Sequence, residues 1–160
     1  MVIELHSDSP QTTEHYGAAL GAALRTGDVL VLEGPLGAGK TCLVRGVVVG
    51  AGGEAAAVRS PTFVLHQPHH GTTITVHHID LFRLGPGASV DVLDLDTLLA
   101  AGAVVIEWGA YADLRHLRPT TVTIAGTALP HNERMLRMEQ DSAAHLERAW
   151  AALRDRTGAP

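Results

Sequence analysis

The chain has 160 residues, enough for one domain with a real core, and an apolar content ordinary for a globular protein. Its net charge of −5 argues against autonomous gripping of nucleic acid, and its single cysteine excludes an intramolecular disulfide and argues against a zinc site. No apolar run approaches a membrane span, and the opening Met1-Val2-Ile3-Glu4 lacks the basic start of a secretory signal, so the cytoplasm is expected.

In chain order, Val2 to His6 alternates like an edge strand, and Ser7-Asp8-Ser9-Pro10 is a turn that can start a helix running to Leu24. Val29-Leu30-Val31-Leu32 is a continuous apolar run, the pattern of a buried strand. It leads into Gly34-Pro35-Leu36-Gly37-Ala38-Gly39-Lys40-Thr41, and Cys42 to Val49 reads as the helix that follows. Gly50 to Gly53 breaks that helix. Ala57 to Gln67 reads extended around Ser60-Pro61-Thr62, and Gly71 turns the chain into an alternating strand over Thr72 to Ile79. These two runs form an antiparallel hairpin. Val92, Leu95, Leu98 and Leu99 predict a short helix after the Gly85-Pro86-Gly87 turn, and Val104-Val105-Ile106 a second buried strand ending at Glu107-Trp108. Val122 to Ala125 and Met135 to Glu139 read as strands, Ala143 to Arg154 as an amphipathic closing helix. The expected fold is a single α/β domain over residues 1–160, a mixed sheet flanked by helices with an antiparallel hairpin insertion.

The octet at Gly34 to Thr41 fits G-x-x-x-x-G-K-[ST], the phosphate-binding loop. A chance match in a chain this long is on the order of one in a hundred, and the strand before it and helix after it lower those odds. Lys40 is the only lysine in the chain; every other basic residue is arginine. A guanidinium fork is too broad to curl inside a ring of backbone amides, whereas a compact ammonium fits. Backbone N–H groups of Gly34, Leu36, Gly37, Ala38, Gly39 and the helix start at Lys40, Thr41 and Cys42 would cradle the phosphates of a nucleoside triphosphate. Lys40 would reach the β/γ-phosphates and Thr41 would ligate Mg²⁺.

Phosphoryl chemistry also needs carboxylates near the metal. Asp80 closes Val76-His77-His78-Ile79 and Glu107 closes Val104-Val105-Ile106, and a carboxylate at the C-terminal end of a parallel strand faces the ligand crevice. Glu107 fits that rule better, because its run is continuous. Ser60-Pro61-Thr62 reads as a plain proline turn by spacing, or as a switch. His66, His69, His70, His77 and His78 crowd one region; lacking paired cysteines, they read as a polar, solvated hairpin more than as a metal site.

The loop taken with Ser60-Pro61-Thr62-Phe63, His78-Ile79-Asp80-Leu81-Phe82-Arg83-Leu84 and Ile106-Glu107-Trp108 resembles the TsaE (YjeE) family, the ATPase component of bacterial tRNA threonylcarbamoyladenosine synthesis. The resemblance runs from Thr12-Thr13-Glu14 to Glu133-Arg134. It implies a P-loop α/β domain in which Thr41 and Glu107 bind Mg²⁺, Asp80 takes a Walker B-like role and Ser60 to Phe63 form the switch-like segment. It further implies that Thr12 and Thr13 border the adenine, that Thr62, Trp108 and Arg134 belong to the nucleotide site, and that Lys40, Asp80 and Glu107 carry the chemistry. The implied cofactors are ATP and Mg²⁺; the implied partners are the subunits that transfer threonylcarbamoyl to adenosine 37 of tRNA, and the ATPase is weak without them. Three residues depart from the family pattern: Pro35 for Asp, Phe82 for Tyr, and Ala110 near an acidic position.

Rival readings are bounded by the same residues. A GTPase needs Asn-Lys-x-Asp, and the sole lysine is already in the loop. An ABC-type ATPase needs a longer chain. A P-loop small-molecule kinase is the main alternative, with Arg115 and Arg118 as candidate lid residues. A nucleotide-dependent binding module is the third.

Overall fold

The computed structural model describes residues 2–59, 65–125, 132–139 and 142–157. Its strands are β1 (Ile3–Ser7), β2 (Val29–Glu33), β3 (His66–His70), β4 (Thr75–Asp80), β5 (Ala103–Glu107), β6 (Thr120–Ala125) and β7 (Arg134–Met138). The helices are α1 (Pro10–Ala23), α2 (Lys40–Gly50), α3 (Leu95–Ala101) and α4 (Ala144–Thr157). All seven strands form one sheet in the order β1-β7-β6-β2-β5-β4-β3. Strands β6, β2, β5 and β4 run parallel, while β1, β7 and β3 join antiparallel at the two sides.

The strand sequences follow from that order. β2 and β5 lie in the middle with both faces covered, so they are continuously apolar. β1 is an edge strand with strict inside–outside alternation, as its sequence predicts. β4 departs from expectation. Its sequence alternates, yet every residue after Thr75 is buried, because β4 is paired on both sides and covered on both faces. The hairpin itself forms, closed by the Gly71 N–H donating to the Ile74 carbonyl.

One face of the sheet carries α1, α2 and α4 over a core that includes Leu20, Leu30, Leu32, Leu43, Val47, Val105 and Trp150. The opposite face packs Val29, Val31, Ile79, Val104 and Ile106 against α3 and short turns bearing Leu95 and Leu114. α1 starts where expected: Pro10 opens it, and the Ser9 side chain accepts the Thr12 N–H at 3.1 Å. α3 is shorter than its apolar spacing suggests. Asp94 adopts a left-handed conformation (φ 48°) and separates a tight turn at Asp91–Leu93 from the helix, leaving Val92 81% exposed. No helix among the described residues is long and apolar enough to cross a membrane.

α1 and α2 touch backbone to backbone. A Cβ on Gly46 would lie 2.0 Å from the Glu14 carbonyl oxygen, and one on Gly17 2.2 Å from that of Leu43. Both obstacles are helix backbone and cannot rotate away. Gly46→Ala should therefore destabilise by about 3 kcal/mol, the upper end for overpacking, despite the better helix propensity of alanine. In a thermal melt that is a fall of roughly 6–12 °C. A variant melting with the parent would show that the helices separate freely.

Candidate functional site

β2 ends at Glu33 and the chain turns through the glycine loop into α2. Gly37 (φ 76°) and Gly39 (φ 107°) occupy left-handed backbone that side chains disfavour, and Gly39 is the N-cap of α2 with no side-chain cap of its own. The helix N-terminus thus presents backbone donors and the positive end of its dipole to the space beneath the loop. Lys40 is only 5% exposed. Its ammonium donates to the Gly34 carbonyl and, at 2.9 Å, to the Pro35 carbonyl, and lies 4.2 Å from the centre of the Trp108 ring. Burial pushes its pKa down, while the carboxylates of Glu107, Asp80 and Glu33 pull it back up.

The two acidic candidates come together through sheet register. β4 and β5 are parallel neighbours with Asp80 opposite Glu107, so both carboxylates leave the sheet at the same end and face. Glu107 is 2% exposed; its Oε1 accepts from the Thr41 hydroxyl at 3.2 Å, and its Oε2 lies 2.6 Å from His78 Nε2. Asp80 is also buried, and its Oδ1 accepts the Phe82 N–H at 2.9 Å. A cavity of about 460 Å³ is lined by Leu36, Gly37, Ala38, Gly39, Lys40, Thr41 and Cys42 of the loop and helix, and by Asp80, Phe82, Glu107 and Trp108.

The Thr41 hydroxyl and the carboxylates of Asp80 and Glu107 are hard oxygen donors, the type Mg²⁺ takes. Among the described residues no group of three or more His, Cys, Asp or Glu could hold a metal by itself.

Other expected residues fall differently. Arg134, on β7, turns to the loop itself: Nε donates to the Ala38 carbonyl at 2.9 Å and Nη2 to that of Gly37 at 3.3 Å, with Nη1 on the Glu133 carbonyl. Cys42 lines the cavity, its thiol donating to the Pro10 carbonyl and its pKa raised by burial and by Glu14. Thr12 and Thr13 do not line the cavity. The Thr12 hydroxyl donates to Asp8 at 2.7 Å beside a separate hollow near His6 and Tyr16, and Thr13 is buried against the Ser7 hydroxyl. Thr62 and the whole of Ser60 to Phe63 lie outside the described residues.

The histidines correct the expectation of a solvated hairpin. His77 and His78 are buried because β4 is an inner strand, paired with β3 on one side and β5 on the other, and His69 on the edge strand β3 is buried as well. His66 Nε2 pairs with His77 Nδ1 at 2.9 Å on one face; His69 and His78 share the other face with ring centres 6.2 Å apart. Burial lowers the pKa of His66, His69 and His77, with neighbouring histidines adding to the effect.

Two residues carry structure at the site that sequence reading passed over: His78 and Glu33. Trp108 sits in a left-handed conformation (φ 61°) at the turn after β5, its ring between Phe82 and Tyr111 with centroids 5.1 and 5.4 Å away. The Glu33 carboxylate accepts the Ala110 N–H of that turn at 2.6 Å. Ala110 lies near the position where the resemblance implies an acidic residue. Burial raises the Glu33 pKa, against the lowering effects of the Ala110 N–H and Lys40. The only sequence signal for Glu33 is a charged residue closing an apolar strand beside the loop.

A parallel-cored sheet, a glycine loop running from β2 into a helix, and carboxylates at the ends of adjacent strands define a P-loop NTPase-like α/β protein. The fold is shared with the crystal structure of Bacillus subtilis YdiB, at a TM-score of 0.71 and 22% identity, covering 99% of this chain and 97% of that one. Residues 7–136 match the family described as threonylcarbamoyl adenosine biosynthesis protein TsaE. The chain is 37% identical over 131 residues to the tRNA threonylcarbamoyladenosine biosynthesis protein TsaE of Treponema pallidum, covering 80% of this chain and 93% of the relative. It is 44% identical over 109 residues to the Mycobacterium leprae protein of the same name, covering 62% of this chain and 67% of the relative. The match to the Mycobacterium bovis relative spans 60% of that protein's length. The chain belongs to the TsaE family.

Proposed function

We propose that this protein is a Mg²⁺-dependent ATPase that serves threonylcarbamoyladenosine formation at adenosine 37 of tRNA, working in the cytoplasm with the subunits that transfer the threonylcarbamoyl group. The family membership and the names of the relatives support the pathway. One geometric observation supports the chemistry: Lys40, Thr41, Asp80 and Glu107 converge on a single cavity beneath the N-terminus of α2.

In this reading the triphosphate enters that cavity. Lys40 exchanges the Gly34 and Pro35 carbonyls for β/γ-phosphate oxygens, and the α2 amides take the remaining charge. Mg²⁺ bound there would supply positive charge to offset charge developing in the transition state. Thr41 and Glu107 would hold it, and either Glu107 or Asp80, its register neighbour one strand away, would orient the attacking water. Arg134 keeps the loop in shape from behind by clamping its carbonyls. Net negative charge leaves tRNA contact to the partner subunits. Of the two lid candidates of the kinase alternative, Arg115 is forked onto Asp113 at the surface with contacts of 2.9 Å, and Arg118 is the one left for that role.

The deciding experiment is ATP turnover with and without the cognate transferase subunits. Slow turnover alone and faster turnover with partners supports the reading. ADP formed only when a small-molecule acceptor is added would establish a kinase, and negligible ADP under all conditions a passive binding module.

Trp108 offers a direct reporter. Its ring lies 4.2 Å from the Lys40 ammonium, so drawing Lys40 onto phosphate must change the indole's surroundings. Trp150 is buried, with its N–H on the Ile3 carbonyl, and Trp150→Phe isolates the signal. ATP with Mg²⁺ should then shift Trp108 emission more than ADP does. Identical spectra with ATP, ADP and no nucleotide would argue against a γ-phosphate response at this ring.

A further inference from the structure

His78 stands on β4 two residues before Asp80, on the same face of the sheet. Its ring is fully buried, and Nε2 reaches Glu107 Oε2 at 2.6 Å. The other ring nitrogen, Nδ1, has no hydrogen-bond partner among the described residues. A histidine kept only to fill the core would be a poor choice there. Leaving a buried ring nitrogen unpaired forfeits its hydration with nothing in return, and an aliphatic side chain such as that of its β5 neighbour Val105 would avoid the loss. Among the described residues, the Glu107 carboxylate is the hydrogen-bond partner that accounts for an imidazole at this position.

The carboxylate is divided between two partners. Oε2 is engaged by His78 from the interior, while Oε1 faces the Thr41 hydroxyl at 3.2 Å on the cavity side. A Glu side chain has three rotatable torsions, and a second anchoring contact removes the freedom to swing Oε1 away. We infer that His78 is a positioning residue: its Nε2–H holds Oε2 so that Oε1 of Glu107 is presented to the cation beside Thr41. This rests on the reading of Thr41 and Glu107 as cation-holding residues. β4 then contributes to the site twice, through the Asp80 carboxylate at its end and through the imidazole that sets its neighbour's carboxylate.

Glutamine and asparagine separate positioning from packing. The side-chain amide nitrogen in H78Q would reach about as far as Nε2 of the native ring, whereas the shorter side chain in H78N reaches only as far as Nδ1. Mn²⁺ binding to the complex with a non-hydrolysable ATP analogue, followed by electron paramagnetic resonance, gives a readout independent of turnover. H78N should raise the half-saturating Mn²⁺ concentration roughly tenfold or more, the range for loss of a group that orients a ligand. H78Q should stay within about threefold of the parent, and analogue affinity in EDTA should be the same in all three proteins. Parental Mn²⁺ binding in H78N, or equal impairment of folded H78N and H78Q, overturns the inference while leaving the cation site standing. A parent complex with no saturable Mn²⁺ site overturns the cation reading and this inference together. Should H78N fail to fold, long-range ¹H–¹⁵N spectra of the parent decide. A downfield His78 Nε2–H that moves in E107Q supports the contact, and an Nδ1-protonated ring refutes it.

Discussion

Lys40→Ala should lose tight ATP binding. Among the described residues Lys40 is the only side-chain cation lining the cavity, and its ammonium already sits beneath the loop, held by the Gly34 and Pro35 carbonyls. Removing a charge-assisted contact to phosphate costs about 3 kcal/mol, or roughly two decades in affinity. The effect should exceed that of a surface charge, since screening is weak at a residue so buried. Lys40→Arg should fare little better, because the guanidinium needs more room than the loop leaves between Pro35 and the Trp108 ring. Titration calorimetry with ATP checks both, with a thermal melt of each nucleotide-free variant to confirm folding. ATP affinity unchanged in Lys40→Ala would sink the phosphate-loop reading.

Glu107 variants should separate cation chemistry from nucleotide binding. Glu107→Ala and Thr41→Ala should both lose Mg²⁺-dependent hydrolysis, by roughly two to three decades, with nucleotide affinity in EDTA nearly unchanged. Their melts should differ. Glu107→Ala strips His78 Nε2 of its buried partner and should melt several degrees lower, an effect of about 1–3 kcal/mol. Glu107→Gln keeps an oxygen for that nitrogen and should melt near the parent while still losing turnover. Hydrolysis at the parental rate in Glu107→Ala would remove Glu107 from the chemistry and make Asp80, its register neighbour, the better assignment.

The parts of this protein legible in its sequence are those set by neighbours along the chain. A phosphate loop depends on glycines at fixed offsets and one lysine, and the strand before it and helix after it have their own periodicity, so Gly34 to Val49 could be read directly. Glu107 could be placed because a continuous apolar strand signals an inner position by itself. β4 shows where that logic stops. Its alternating residues describe a half-exposed strand, and only the sheet order, which seats it between β3 and β5, buries His77 and His78 and turns His78 toward Glu107. Pairings across long stretches of chain were equally invisible: Glu33 with the Ala110 N–H, and Arg134 with the carbonyls of Ala38 and Gly37. Neither residue has a local pattern that names its partner. Local chemistry is written in spacing; which buried polar groups face one another is decided by strand register, and register is a property of the assembled sheet.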